Sequence, residues 1–154
     1  MAQQRDNPYG AFNFQVTVDR FGGDAGAVRA GFQEISGLGL EVTEAEYRNG
    51  NEKENHVRKM SGIYKATDVT LKRGIIGWTD FFDWLKDVRD GKDAEARSLV
   101  TVELMDEAHT AAVMTWTLTN AKPKSYKGAT LNAKGGTDVA MEELVLSCEK
   151  LDVS

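Results

Sequence analysis

The chain has 154 residues, a formal net charge of −5 and a single cysteine, Cys148. That length fits one domain, residues 1–154, with a core that needs no disulfide or metal, since a chain of this size buries roughly 70% of its unfolded surface. Interspersed charges of both signs exclude a strong global pull toward nucleic acid or anionic membrane, one cysteine excludes an internal disulfide framework, and no stretch approaches the roughly 20 apolar residues that span a bilayer.

The N-terminal run Met1-Ala2-Gln3-Gln4-Arg5-Asp6 lacks an apolar core, so no signal peptide is expected. Phe12, Phe14, Val16 and Val18 then alternate with polar residues, which predicts a strand with one buried face. Gly22-Gly23-Asp24, with Gly26 and Gly31 beyond, reads as a turn. A second strand is expected over 30–35, followed by Ser36-Gly37-Leu38-Gly39-Leu40, where the glycines permit a kink or bulge. A third strand covers 41–47. The segment 48–61 is charged and almost without apolar residues, which predicts an extended loop or arm.

The run Thr67-Asp68-Val69-Thr70-Leu71-Lys72-Arg73-Gly74 alternates again and predicts a strand over 67–73. A helix is expected over 78–89, with Trp78, Phe81, Phe82, Leu85 and Val88 as its core stripe. Thr79 or Asp80 suits its start, Lys86 and Arg89 suit its end, and Gly91 closes it. Strands over 98–105 and 112–120 form a hairpin about the polar turn Asp106-Glu107-Ala108-His109-Thr110. Pro123 is expected to end the second of these. A flexible stretch over 128–136 precedes a last strand over 139–151, with Leu144, Leu146 and Cys148 on one face. The chain is therefore mainly β with one principal helix: a small antiparallel barrel or sandwich plugged by that helix.

Chemistry is sparse. Asp106, Glu107 and His109 have metal-ligand character, but a local cluster at a hairpin tip supplies too few ligands. His56 has no nucleophile or carboxylate tied to it by spacing, and Cys148 continues an apolar row as a small hydrophobe. The glycine-rich runs at 22–26 and 135–137 lack the endings of a phosphate or dinucleotide site. Lys122, Lys124, Lys127 and Tyr126 make a small basic patch, suited to an acidic neighbour at least as well as to nucleic acid. No catalytic, cofactor or metal residues are assigned, and an enzyme is not expected. In the 48–61 arm, the balanced charges of Glu52, Lys53, Glu54, Arg58 and Lys59 suit salt-bridged self-association better than a polyanion.

An ordered set of short motifs runs along the chain. It comprises Arg5-Asp6-Asn7-Pro8-Tyr9 with Phe12-Asn13-Phe14, Phe32-Gln33-Glu34-Ile35-Ser36-Gly37-Leu38, Glu46-Tyr47-Arg48-Asn49-Gly50, Thr70-Leu71-Lys72-Arg73-Gly74 and Phe82-Asp83-Trp84. Glu142-Glu143-Leu144-Val145-Leu146 completes it near the C-terminal end. The set resembles the tail tube proteins of contractile phage tails. It is similar above all to the inner tube proteins of phage-tail-like contractile injection systems, with the haemolysin-coregulated tube protein of type VI secretion as a more distant relative.

This resemblance implies a tail-tube β-barrel that forms hexameric rings, stacked into a hollow conduit inside a contractile sheath. Sheath, baseplate and tube-terminating proteins would be its partners, with cargo in the lumen. Synthesis would be in the bacterial cytoplasm, and assembly in a phage tail or injection particle. It implies that 41–47 and 67–73 flank an extended hairpin tipped by the charged loop. Glu41, Glu44, Glu46, Arg48, Glu52, Lys53, Glu54, Arg58 and Lys59 would then contact neighbouring subunits and the adjacent ring. One departure is that Ser61-Gly62 stands where the family often has Pro-Gly. The strands alone also fit a monomeric small-ligand-binding barrel, which would need a closed apolar cavity left unfilled by the helix.

Overall fold

The computed structural model describes residues 6–21 and 31–154; the glycine turn expected at Gly22-Gly23-Asp24 and Gly26 lies outside them. In chain order the elements are β1 (Phe14–Val18), a 3-10 turn (Asp19–Phe21), β2 (Glu34–Ser36), β3 (Leu40–Tyr47), β4 (Arg58–Ala66), β5 (Val69–Gly74), helix α1 (Asp80–Arg89), short helix α2 (Asp93–Ala96), β6 (Ser98–Met105), β7 (Ala112–Lys127), β8 (Met141–Ser147) and β9 (Lys150–Val153). Seven strands form one sheet in the order β1-β6-β7-β8-β5-β2, with β9 also on β7. All its pairings are antiparallel. β3 and β4 form a separate two-stranded hairpin. The fold is mainly β with one principal helix.

Period-2 alternation decides which side chains meet. Val16 and Val18 in β1, Val69 and Leu71 in β5, Val100 and Val102 in β6, and Leu144 and Leu146 in β8 point inward and are buried. The curled sheet encloses them, and α1 closes the remaining side. Phe81 and Trp84 of α1 are fully buried, with Phe81 stacked against Phe32 and Trp84 edge-on to Phe21. The Trp84 indole N–H donates to the Ala96 carbonyl, so the ring is buried without losing its polar partner. These two rings occupy the interior that a ligand-binding barrel would have to leave open.

The helix differs from the expected stripe in two ways. It begins at Asp80, so Trp78 precedes it and stands 40% exposed, after a turn that Gly77 makes at φ 88°. Phe82 flanks the apolar face, is 44% exposed, meets the edge of Tyr126 and has the Arg89 guanidinium over its ring at 5.9 Å. Leu85 and Val88 are half-buried. The residue missing from the expected stripe is Trp84, which completes the i, i+3, i+4, i+7 face with Phe81, Leu85 and Val88. Gly91, at φ 85°, ends the helix as expected: its N–H donates to the Val88 carbonyl and that of Lys92 to the Asp87 carbonyl.

Besides β2, which covers Glu34–Ser36 rather than 30–35, three strand boundaries also differ. β7 runs through Pro123 to Lys127, because Pro123 sits at a β-bulge where a missing N–H costs no ladder bond. Asn120, at φ 53°, bends the strand. The part up to Ala121 pairs with β6 and β9, and the part from Lys122 on pairs with β8. The last strand is divided into β8 and β9 at Cys148–Glu149, although both keep one register on β7. Cys148 is half-buried against the core, and that burial raises its thiol pKa. The third difference concerns the charged segment 48–61. Its last part belongs to β4, so only 48–57 connect the hairpin strands, and the partner of β3 is 58–66 rather than 67–73.

One charged cluster lies inside. Arg73 follows Val69 and Leu71 on the inward face of β5 and is 1% exposed. Its guanidinium pairs with Glu142 and Asp80 and lies over the Phe81 ring, 3.7 Å from the centroid. The Tyr126 hydroxyl donates to the other oxygen of Glu142 at 3.0 Å. Burial works against the Arg73 charge, but Asp80 and Glu142 outweigh it and hold its pKa above the ordinary value. Because Asp80 opens α1, this cluster ties the helix start to β5 and β8.

Candidate functional site

The feature that no part of this body explains is the β3–β4 hairpin. Every residue of β3 is exposed, and every residue of β4 but Ala66. A lone two-stranded hairpin is marginal in water, so this one requires support from outside its own strands. At its root the Thr67 N–H and hydroxyl both bond the Gly39 carbonyl, at 3.0 Å each. Halfway along, two β4 residues, Gly62 and Ile63, oppose the single residue Thr43. The Thr43 hydroxyl donates to the Ile63 carbonyl at 2.9 Å. A Cβ on Gly62 would stand 2.9 Å from the Thr43 hydroxyl oxygen and 3.1 Å from its carbonyl oxygen, so any other residue at this bulge would force Thr43 to shift.

The tip is organised by one side chain. The Arg48 guanidinium donates to the Glu52 carbonyl (3.1 Å), the Glu54 carbonyl (3.2 Å) and the Asn55 side chain (3.1 Å). Arg58 pairs with Glu52 at 3.0 Å and His56 with Glu54 at 3.2 Å. Tyr47 donates its hydroxyl to the Asn49 side chain. The expected loop thus has a folded connection on a two-stranded stem.

Cross-strand pairing sorts the residues onto two faces. Val42 with Tyr64, Glu44 with Ser61, and Glu46 with Lys59 share one face. Glu41 with Lys65, Ala45 with Met60, and Tyr47 with Arg58 share the other. Of the candidate assembly residues, Glu44, Glu46 and Lys59 therefore stand together, while Glu41 and Arg58 lie on the opposite face. Arg48, Glu52, Lys53 and Glu54 form the tip. Sequence reasoning missed the apolar component. Leu40, Val42, Tyr47, Met60, Ile63 and Tyr64 are all exposed, and Ile63 is 77% exposed. Exposed apolar surface on this scale marks an interaction site.

The other candidate groups are engaged locally. Asp106 accepts from the Thr110 N–H at 2.8 Å and the Thr110 hydroxyl at 2.9 Å, which holds its carboxyl below the usual range. Lys122 pairs with Asp93 at 3.0 Å and Lys124 with Asp68 at 2.8 Å. Among the described residues no group of three His, Cys, Asp or Glu side chains is placed to hold a metal ion. No helix among them is long and apolar enough to cross a membrane.

The family model of the T4-like virus tail tube protein gp19 matches residues 10–152. A chain of the PVC sheath-tube complex, an extracellular contractile injection system in the extended state, is similar at 28% identity and TM-score 0.80, covering 97% of this chain and 93% of that one. A chain of the PVC sheath/tube terminator is similar at 27% identity and TM-score 0.78, covering 97% and 98%. Hcp1 from Flavobacterium johnsoniae shares the fold at 15% identity and TM-score 0.53, covering 93% and 95%. No curated protein matches the chain.

Proposed function

This chain belongs to the T4-like virus tail tube protein family, and from that premise we propose that it is the inner-tube subunit of a contractile injection machine. Subunits close into hexameric rings, and the rings stack into a rigid hollow conduit inside a contractile sheath. Sheath, baseplate and tube-terminating proteins are its partners, and the lumen carries cargo. The function is mechanical and calls for no catalysis.

The observation that carries this reading is the freestanding β3–β4 hairpin, exposed along both strands. A ring subunit needs a surface that meets a different surface on its neighbour, repeated by rotation. In this reading Glu41, Glu44, Glu46, Lys53 and Lys59 make the polar contacts between subunits. Arg48, Glu52, Glu54 and Arg58 hold the tip in shape for them. The rest of the domain is the frame that presents this arm.

Electron microscopy of the purified protein tests the reading. Rings and stacked tubes of uniform width are expected. Protein that stays strictly monomeric at high concentration, even beside its sheath and baseplate partners, would overturn it.

A further inference from the structure

The hairpin tip carries a chemical feature that its proposed role in assembly does not use. Asn49 is the only asparagine of the chain followed by glycine. The backbone N–H next to its side-chain amide therefore belongs to a residue with no side chain to hinder close approach. Gly50 is exposed, and a Cβ built on it would meet nothing within 4 Å. Among the described residues the Gly50 N–H donates to no acceptor. The Tyr47 hydroxyl donates to the Asn49 side-chain oxygen, the atom on which negative charge develops when a nucleophile adds to that carbonyl. Asp90-Gly91, just past α1, has the same spacing in the opposite setting. There the Gly91 N–H is engaged by the Val88 carbonyl at 3.2 Å.

We propose that Asn49-Gly50 is a site of self-modification in the free subunit. The deprotonated Gly50 nitrogen attacks Cγ of Asn49. An N–Cγ bond forms, the Cγ–Nδ2 bond breaks, and the amide nitrogen leaves as ammonia with the proton that the Gly50 nitrogen gave up. Water then opens the five-membered imide. Addition at Cγ leaves aspartate. Addition at the Asn49 main-chain carbonyl leaves isoaspartate, in which the backbone runs through the former side chain. One water enters and one ammonia leaves, and nothing is oxidised or reduced.

Either product places a new negative charge at the tip. Isoaspartate also lengthens the main chain at the residue whose carbonyl accepts the Glu52 N–H at 3.2 Å, so that turn no longer closes in the same way. The neighbouring Arg48, which holds the Glu52 and Glu54 carbonyls, loses the frame for those contacts. The chemistry stands on the free subunit, and its consequence for assembly rests on the tube reading. Subunits that wait unassembled lose the shape of the tip, whereas subunits in a tube, where the tip is held against a neighbour, keep it. The site marks the age of an unused subunit.

Peptide mass spectrometry of the full chain, with enzymatic labelling of isoaspartate, tests the chemistry after incubation of dissociated subunits at mildly alkaline pH. Asn49 should exchange its amide NH₂ for OH and yield both products, while Asn13 and Asn120 stay intact. Gly50→Ala fits the open space at Gly50, which does not have a positive φ, and should slow the change at least about tenfold by placing a Cβ beside the nucleophile. Tyr47→Phe should slow it as well, without altering its rise with pH. Asn49 that survives incubation unchanged overturns the proposal, as does Gly50→Ala that reacts as fast as wild type. Tyr47→Phe that reacts at the wild-type rate overturns the part given to Tyr47. Electron microscopy then compares fresh and aged subunits, and aged wild type should form fewer tubes while aged Gly50→Ala matches fresh protein. Modified subunits that enter tubes as readily as fresh ones overturn the consequence for assembly. Fresh wild-type protein that forms neither rings nor tubes overturns the tube reading, and the mass measurement still decides the chemistry.

Discussion

Arg73 and Glu142 are direct cross-strand partners on β5 and β8, with Nε donating to Oε1 at 2.5 Å inside the core. Neither is more than 4% exposed. Removing the arginine leaves Glu142 a buried, uncompensated carboxylate and weakens the tie to Asp80 at the helix start. Arg73→Ala should therefore cost about 3–5 kcal/mol, while Arg73→Met with Glu142→Leu should recover a large part of that loss. Urea unfolding measures both. An Arg73→Ala midpoint equal to wild type would show that the pair does not stabilise the fold.

The two tryptophans around the start of α1 give a second contrast. Trp84 is fully buried and Trp78 is 40% exposed. Trp84→Ala should cost about 3–5 kcal/mol as its cavity is only partly refilled. Trp78→Ala should change stability by about 0.5 kcal/mol or less. Equal losses in denaturant titrations would contradict the placement of the helix start.

These contrasts mark what the sequence reveals and what it hides. Alternation exposed the buried faces of β1, β5, β6 and β8, since each has one dry side and one wet side. The same parity places Arg73 inward, although a charge on an apolar row is easily read as the end of a strand. Pro123 read as a strand end because the bulge that accommodates it depends on the register of β8. Trp84 was missed because an exposed Trp78 three residues before Phe81 mimics helical spacing. β4 was hidden for a deeper reason. A strand with both faces in solvent has no burial pattern to impose on its residues, so the 58–61 part of it looked like loop. Only the family resemblance pointed to a hairpin there.

Alkaline pH probes the buried cluster from its other side. Burial, and then the Glu142 carboxylate, raise the Tyr126 pKa above the ordinary value of a tyrosine phenol. The folded protein therefore holds the phenol proton more tightly than the unfolded chain. This contribution is complete below about pH 10 and is lost as pH rises through the folded value. Wild type should lose more melting temperature between pH 8.5 and about 10.5 than Tyr126→Phe does, with the raised Cys148 thiol contributing equally to both. Identical pH profiles would show that Tyr126 is not coupled to Glu142.

The central claim is that a stable body presents a hairpin that becomes secure only between subunits. Hydrogen exchange on dissociated and assembled protein tests it most directly. Amides of β5 and β8 lie inside the sheet and should exchange slowly in both states, whereas those of β3 and β4 should exchange fast in the dissociated subunit and slow at least tenfold in the tube. Assembled tubes in which β3 and β4 exchange as fast as in the free subunit would contradict the account.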